Sequence, residues 1–239
     1  MDYPLIESLE ELKILLVDDD SFMRRLLESV LTELGFVHID KAANGEEALD
    51  ILRQNHIDLL VTDIQMPVMN GLELLRQVRS GLAGESHTLR TIIITSFSNL
   101  DTLGTAIALD VNGFLEKPFK PVTVIKKILL ALSEEEQSDR PCRDYQDIET
   151  NLSSLAESSH VVLNEKANGE GDVLEHSVSV RPTSTHMLQP GMKLAENVCT
   201  TQGTLLLPEG LVLTWQTIHR IHELSDVIER QEFDVHPVW

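Results

Sequence analysis

Leu59-Leu-Val-Thr-Asp-Ile-Gln-Met-Pro-Val-Met-Asn-Gly71 decides how this chain is read. Leu59, Leu60 and Val61 form an apolar run suited to a buried strand. The run leads straight into a carboxylate, Asp63, and then a turn. A buried, unpaired charge is costly or is neutralised by a shifted pKa. Asp63 therefore either caps a turn or carries a charge that something at the strand's end requires.

Working outward, short apolar runs alternate with amphipathic stretches from Leu12 to Leu132. Lys13 to Val17, Val37 to Ala42, Leu59 to Thr62, Thr91 to Thr95 and Gly113 to Glu116 read as five strands. Helices are predicted between and after them. Ser21 to Leu34 carries Phe22, Leu26, Leu27, Val30, Leu31 and Leu34 at helical spacing, and Gly35 ends it. Asn44 with Glu47, and Asn70 with Glu73, have the spacing of a capping box. Ser98 and Asp101 open a fourth helix. Pro121 fits the first position of a fifth, which runs to about Leu132. Five strands, each followed by a helix, require right-handed crossovers and a parallel sheet covered on both faces.

The chain has 239 residues, 42% of them apolar, with a formal charge of −20. That balance argues against nucleic acid and anionic membranes as main partners, because both require a basic face. The start of the chain lacks a signal-peptide layout, and no apolar run reaches the length of a membrane span. Cys142 and Cys199 are too few for a disulfide framework or zinc site. A cytoplasmic location without membrane insertion is the expectation.

Beyond Leu132 the texture changes. Residues 133–186 read as a polar linker, with one helix between Asp144 and Leu155 and a hairpin of Val161 to Leu163 with Val173 to Val180. Residues 187–239 read as a small α+β module. Turns at Gln189-Pro-Gly191 and Pro208-Glu-Gly210 flank strands over Lys193 to Thr200 and Thr204 to Leu207. Thr214 caps a helix from Trp215 that turns Ile218, Ile221 and Leu224 inward. Val227-Ile228 and Phe233 to Val235 return as short strands. Trp215 reads as a core residue rather than a partner anchor. His219 and His222 lie three apart on that helix, but no third metal ligand has suitable spacing.

Ligands of open parallel sheets bind outside the carboxyl ends of the strands. With strand order 2-1-3-4-5, the ends carrying Asp18-Asp19-Asp20 and Asp63 are neighbours. Thr95-Ser96 and Lys117-Pro118 end the fourth and fifth strands. Asp20 reads as a helix cap. Two carboxylates about 4 Å apart repel by roughly 4 kcal/mol at an effective dielectric near 20, so Asp18, Asp19 and Asp63 together require a cation. All-oxygen ligands in a small site favour Mg²⁺. With Lys117 and the Thr95 hydroxyl added, the set suits phosphoryl transfer, where positioning and charge neutralisation dominate.

These residues carry a resemblance. Leu-Leu-Val-Asp-Asp with Asp18 and Asp19, the stretch around Asp63, Ile-Ile-Thr-Ser at Thr95-Ser96 and Gly-Phe-Leu-Glu-Lys-Pro-Phe at Lys117 resemble the receiver domain of bacterial two-component response regulators, a flavodoxin-like fold. The likeness spans residues 11–132. Its one departure is Asp110-Val111, where Gly-Ala is common. The resemblance implies that Asp63 accepts a phosphoryl group from a sensor histidine kinase or phosphotransfer protein. Asp18, Asp19, Asp63 and the backbone carbonyl of Gln65 would serve Mg²⁺, Asp18 through water. Thr95, Ser96 and Lys117 would bind phosphoryl oxygens, and Lys117-Pro118 is often cis. Thr95 and Phe114 would form the switch, and homodimers are common.

Residues 188–195, 203–210 and 213–214 more weakly resemble a short β-rich segment found beside HD-GYP cyclic di-GMP phosphodiesterase domains. No His-Asp dipeptide and no Gly-Tyr-Pro is present, so that activity is not carried over and no separate catalytic domain is expected. The leading expectation is a signalling protein with non-catalytic output through a downstream protein partner. A DNA-binding regulator is opposed by residues 133–239, where 7 Lys and Arg face 19 Asp and Glu, a balance of −12. A degenerate cyclic di-GMP-related enzyme is the other alternative.

Overall fold

The computed structural model describes residues 9–84, 86–96, 100–133, 145–154, 180–199, 205–207, 209–223, 228 and 232–236. Five parallel strands, β1 (Lys13–Val17), β2 (His38–Ala42), β3 (Leu59–Asp63), β4 (Arg90–Thr95) and β5 (Gly113–Glu116), form one sheet in the order β2-β1-β3-β4-β5. Helices α1 (Ser21–Glu33), α2 (Gly45–Gln54), α3 (Gly71–Arg79), α4 (Leu100–Ala108) and α5 (Pro121–Ser133) follow the strands in turn. This is the flavodoxin-like arrangement expected.

Period-two alternation divides the strand side chains between two apolar layers. Ile14 and Leu16 join Leu59, Val61, Ile92 and Ile94 in a cluster with Leu27, Leu31, Val124 and Ile128 of α1 and α5. Leu15, Val17 and Leu60 join Leu49, Leu52, Leu74 and Val78 of α2 and α3. Burying one such side chain is worth about 1.5–3 kcal/mol. A one-residue slip would reverse every side chain, so the register that places the strand ends is firmly set.

The caps follow the sequence. Asp20 accepts from the Phe22 amide and starts α1. Asn44 accepts from the Glu47 amide, and the Glu47 carboxylate reaches back to the Ala43 amide. Asn70 caps α3 by accepting from the Glu73 amide. In α1 the core takes Leu27, Val30 and Leu31, whereas Phe22 is 62% exposed and Leu26 partly so. The second strand starts at His38 and not, as expected, at Val37, which is exposed.

The contacts group into two compact units. One comprises residues 1–98 and 111–150, the other residues 99–110 and 151–239. Residues 145–150 belong with the first unit, and α4 with the second.

Within the first unit, residues 145–150 lie as a non-helical strap on α3; of the helix expected between Asp144 and Leu155, residues 152–154 are helical. The Asn70 side-chain amide donates to the Thr150 carbonyl at 2.9 Å, and the Thr150 hydroxyl to Glu73 Oε2 at 2.6 Å. Arg76 pairs with Glu73 and also donates to the Gln146 carbonyl at 2.7 Å. Tyr145 is buried. The expected hairpin strands lie outside the described residues, except Val180, which is exposed and in no strand.

The second unit holds an antiparallel sheet of β6 (Arg181–Ser184), β10 (Glu232–His236) and β7 (Lys193–Leu194), in the order β6-β10-β7. A two-stranded pair joins β8 (Val198–Cys199) to β9 (Leu205–Leu207), and α6 spans Trp215–Glu223. The strand expected over Lys193 to Thr200 is thus interrupted, and β6 falls in the stretch read as linker. Gly191 and Gly210, at φ +87° and +83°, make the predicted turns. Thr214 caps α6 by accepting from the Thr217 amide. Ile218 and Ile221 are buried as expected, but Trp215 is 63% exposed and is no core residue.

Burial pushes the Glu73 carboxyl up, but hydrogen bonds from Arg76, Thr150 and Gln77 outweigh it and hold it below the usual carboxylate range. A depressed folded pKa contributes stability that is present above the unfolded value and lost as pH falls through the folded one. The strap should therefore loosen as pH drops below 4.5. Thr150→Val should loosen it at neutral pH, at a cost of about 1 kcal/mol. Hydrogen-exchange protection of residues 145–154, compared at the two pH values, checks both.

Candidate functional site

Parallel strands deliver their carboxyl ends to one edge of the sheet. Because β1 and β3 are neighbours, with Val17 opposite Thr62, the next residues, Asp18 and Asp63, come together. Ligand oxygens of Asp18, Asp19 and Asp63 all lie within 4.8 Å of one another. Asp18 and Asp63 are buried, and Asp19 is exposed. Lys117, just past β5, bridges the two buried carboxylates at 3.1 Å from Asp18 Oδ2 and 3.0 Å from Asp63 Oδ1.

Further bonds fix the cluster. The Asp18 carboxylate accepts from the Asp20 amide at 2.8 Å, and Arg24 donates to the Asp18 carbonyl. Asp63 Oδ2 accepts from the Gln65 amide at 3.2 Å. The Lys117 amide donates to the Thr95 carbonyl, and the Lys117-Pro118 bond is cis. Thr95 ends β4, buried, and Ser96 follows it, exposed. Phe114 is buried opposite Ile93, so it shares a sheet face with Ile93 and Thr95.

The loop after Asp63 is tightly held. A Cβ on Gly71 would fall 2.1 Å from the Asp63 carbonyl oxygen, so only glycine allows α3 to start this close. The Gly71 amide donates to the Ile64 carbonyl, and the Gly45 amide to the Met69 carbonyl. Val68 sits at φ +69°, a region rare for β-branched residues. Strain of this kind costs on the order of 1–3 kcal/mol, supplied by the surrounding structure.

Burial pushes the Asp63 pKa above its ordinary range; Lys117 pulls it back, and the neighbouring Asp18 charge pushes it up again. Burial alone would lower Lys117, but its bonds to Asp63 and Asp18 prevail and keep it firmly protonated. One ammonium therefore faces three carboxylates. The donor set is anionic, all oxygen and crowded, which fits a hard divalent cation.

A model of the response regulator receiver domain matches residues 14–129. A chemotaxis protein CheY homolog of Campylobacter jejuni is 38% identical over 118 residues, covering 49% of this chain and 89% of that protein. The chain belongs to the response regulator receiver family. The chemotaxis protein CheY of Pseudomonas aeruginosa is likewise 38% identical over 117 residues, covering 49% of this chain and 93% of the relative. The solved chemotaxis response regulator CheY4 of Vibrio cholerae has a TM-score of 0.46 at 28% identity, over 50% of this chain and 98% of its own. Among the described residues, no helix of this receiver protein is long and apolar enough to cross a membrane.

The receiver site thus gathers Asp18, Asp19, Asp63 and Lys117 directly, with Thr95 and Ser96 at the adjoining strand end. Gln65 is exposed in the following loop. Gly71, Asn70 and Arg24 complete the frame. The Asn70 cap was legible from its spacing to Glu73; the close approach at Gly71 and the Arg24 bond have no sequence signature.

A raised folded pKa on a carboxyl means that stability falls as pH rises from 3.8 through the folded value. At neutral pH and without divalent ions, Asp63→Asn should therefore raise the melting midpoint by a few degrees. Mg²⁺ at 100 times its Kd should stabilise the wild type by about 2.7 kcal/mol and the variant far less. Thermal melts with and without chelator measure both. Gly71→Ala should cost about 1–3 kcal/mol through overpacking and weaken the Mg²⁺ response, as read from urea midpoints and a metal titration.

Proposed function

We propose that this protein is a phosphorylation-dependent response regulator whose Asp63 accepts a phosphoryl group from the phosphohistidine of a sensor kinase or phosphotransfer protein. The observation that carries the reading is the Asp63 carboxylate held at a strand end 3.0 Å from Lys117 and crowded by Asp18 and Asp19. A carboxylate oxygen of Asp63 attacks phosphorus as it gives up its present hydrogen-bond partner. The phosphorus–nitrogen bond breaks as the new phosphorus–oxygen bond forms, and the departing imidazole nitrogen keeps the electron pair. Asp19, Asp63 and the Gln65 backbone carbonyl would hold Mg²⁺, with Asp18 assisting through water, and the ion would offset charge on the transferred group.

Lys117 exchanges carboxylate contacts for a phosphoryl oxygen. The Thr95 hydroxyl and Ser96 supply further hydrogen bonds. The product adds about −1.5 to −2 charges and three acceptor oxygens. Thr95 and Phe114, on one sheet face, then rebalance two packings of the same core. Output is non-catalytic and runs through a downstream protein partner that the C-terminal module binds or releases.

Radiolabelled acetyl phosphate with Mg²⁺ tests this directly. The wild type should take up label on Asp63 in acid-stable, base-labile form, and Asp63→Ala should take up none. Equal labelling of the two proteins would overturn the reading.

A further inference from the structure

Helix α4 differs from the other surface helices of this chain. A helix on a domain surface buries a stripe and leaves the opposite face in water. In α4 six successive residues, from Thr102 to Ile107, are all buried. The helix belongs to the second compact unit, where β9 and α6 pack against it. The turn that closes it contains Asp110, which is 2% exposed and holds φ +52°, a left-handed conformation that glycine adopts freely. Asp tolerates that region better than most residues but still gives up stability relative to glycine.

The carboxylate accounts for the choice. The Thr214 hydroxyl lies 3.3 Å from Asp110 Oδ1 and 2.8 Å from the Thr217 hydroxyl, while also accepting from the Thr217 amide. One hydroxyl has one proton. The consistent assignment runs from Thr217 to Thr214 to Asp110, so the hydroxyl chain ends on the carboxylate. All three side chains are buried, where a charge-accepting hydrogen bond is strong. The N-cap of α6 is thereby tied to the residue that terminates α4.

We propose that the C-terminal unit is the intrachain partner of helix α4, with β9 and α6 as the occupying surface and Asp110 as the positioning residue that locks them together. Within the second unit β9 and α6 thus cover α4. Its signalling consequence rests on the receiver reading: a change at Asp63 that alters α4 also alters β9 and α6, which share its unit.

Hydrogen exchange on the full chain tests this. Asp110→Gly relieves the backbone and removes the carboxylate; Asp110→Asn keeps an acceptor oxygen. The glycine variant should raise exchange in both α4 and α6 by roughly tenfold or more, as expected for a lost buried bond to a charged group. β1 should be unchanged, and the asparagine variant should restore most of the protection. Unchanged exchange, a rise in α4 alone, or an equal rise in β1 would overturn the anchor. Adding beryllofluoride with Mg²⁺ to the wild type should then alter α4 and α6 together. If the loop after Asp63 responds and α4 and α6 do not, the intrachain route fails. If that loop does not respond either, the receiver reading fails, and the glycine variant still decides the anchor.

Discussion

Asp18 and Asp63 stand side by side because β1 and β3 are hydrogen-bonded parallel neighbours, and parallel pairing carries both strand ends to the same edge. Like charges in a partly dry setting are the central constraint on this molecule. Lys117 answers it from the end of β5, at the sheet's far edge. Asp63's carboxyl stays above its ordinary range despite that ammonium, first because it is buried and then because of the Asp18 charge. A site that its own residues leave under-neutralised is poised for a cation and receptive to chemistry that changes its charge.

The frame around that site is rigid for reasons independent of charge. Gly71 brings the start of α3 against the Asp63 carbonyl, and Val68 is held in an unfavourable backbone region by the bonds on either side. The strap at residues 145–150 adds polar ties to the same helix start through Asn70 and Glu73. Preorganised groups of this kind need little rearrangement when charge moves, which is where catalytic positioning gains most.

Much of this was legible in the amino-acid sequence. Fully apolar strands have few other readings, and once the strand order is known the acidic ends must converge. Asp20, Asn44, Asn70 and Thr214 announced themselves as caps because short polar side chains before an apolar period have a specific job. What escaped notice lacks a periodic signature. β6 is Arg-Pro-Thr-Ser and owes its extended form to pairing with β10. The strap is held by carbonyls and side chains that no local pattern specifies. Phe22 and Trp215 match helical spacing yet face water, because periodicity states which residues share a face and not whether that face is covered. The sequence does carry one mark of α4's burial: Thr102 to Leu109 contains no charged residue, as suits a helix enclosed on all sides.

The second unit is assembled from two separate lengths of chain, one of them lying between β4 and β5. Such a unit is not a cassette. A single genetic cut that moved residues 151–239 onto another receiver would leave a core helix behind, and the recipient's own helix would have to substitute for it, Asp110 included. Inheritance of this tail is thereby coupled to inheritance of a particular α4, and the two halves of the gene must diverge together.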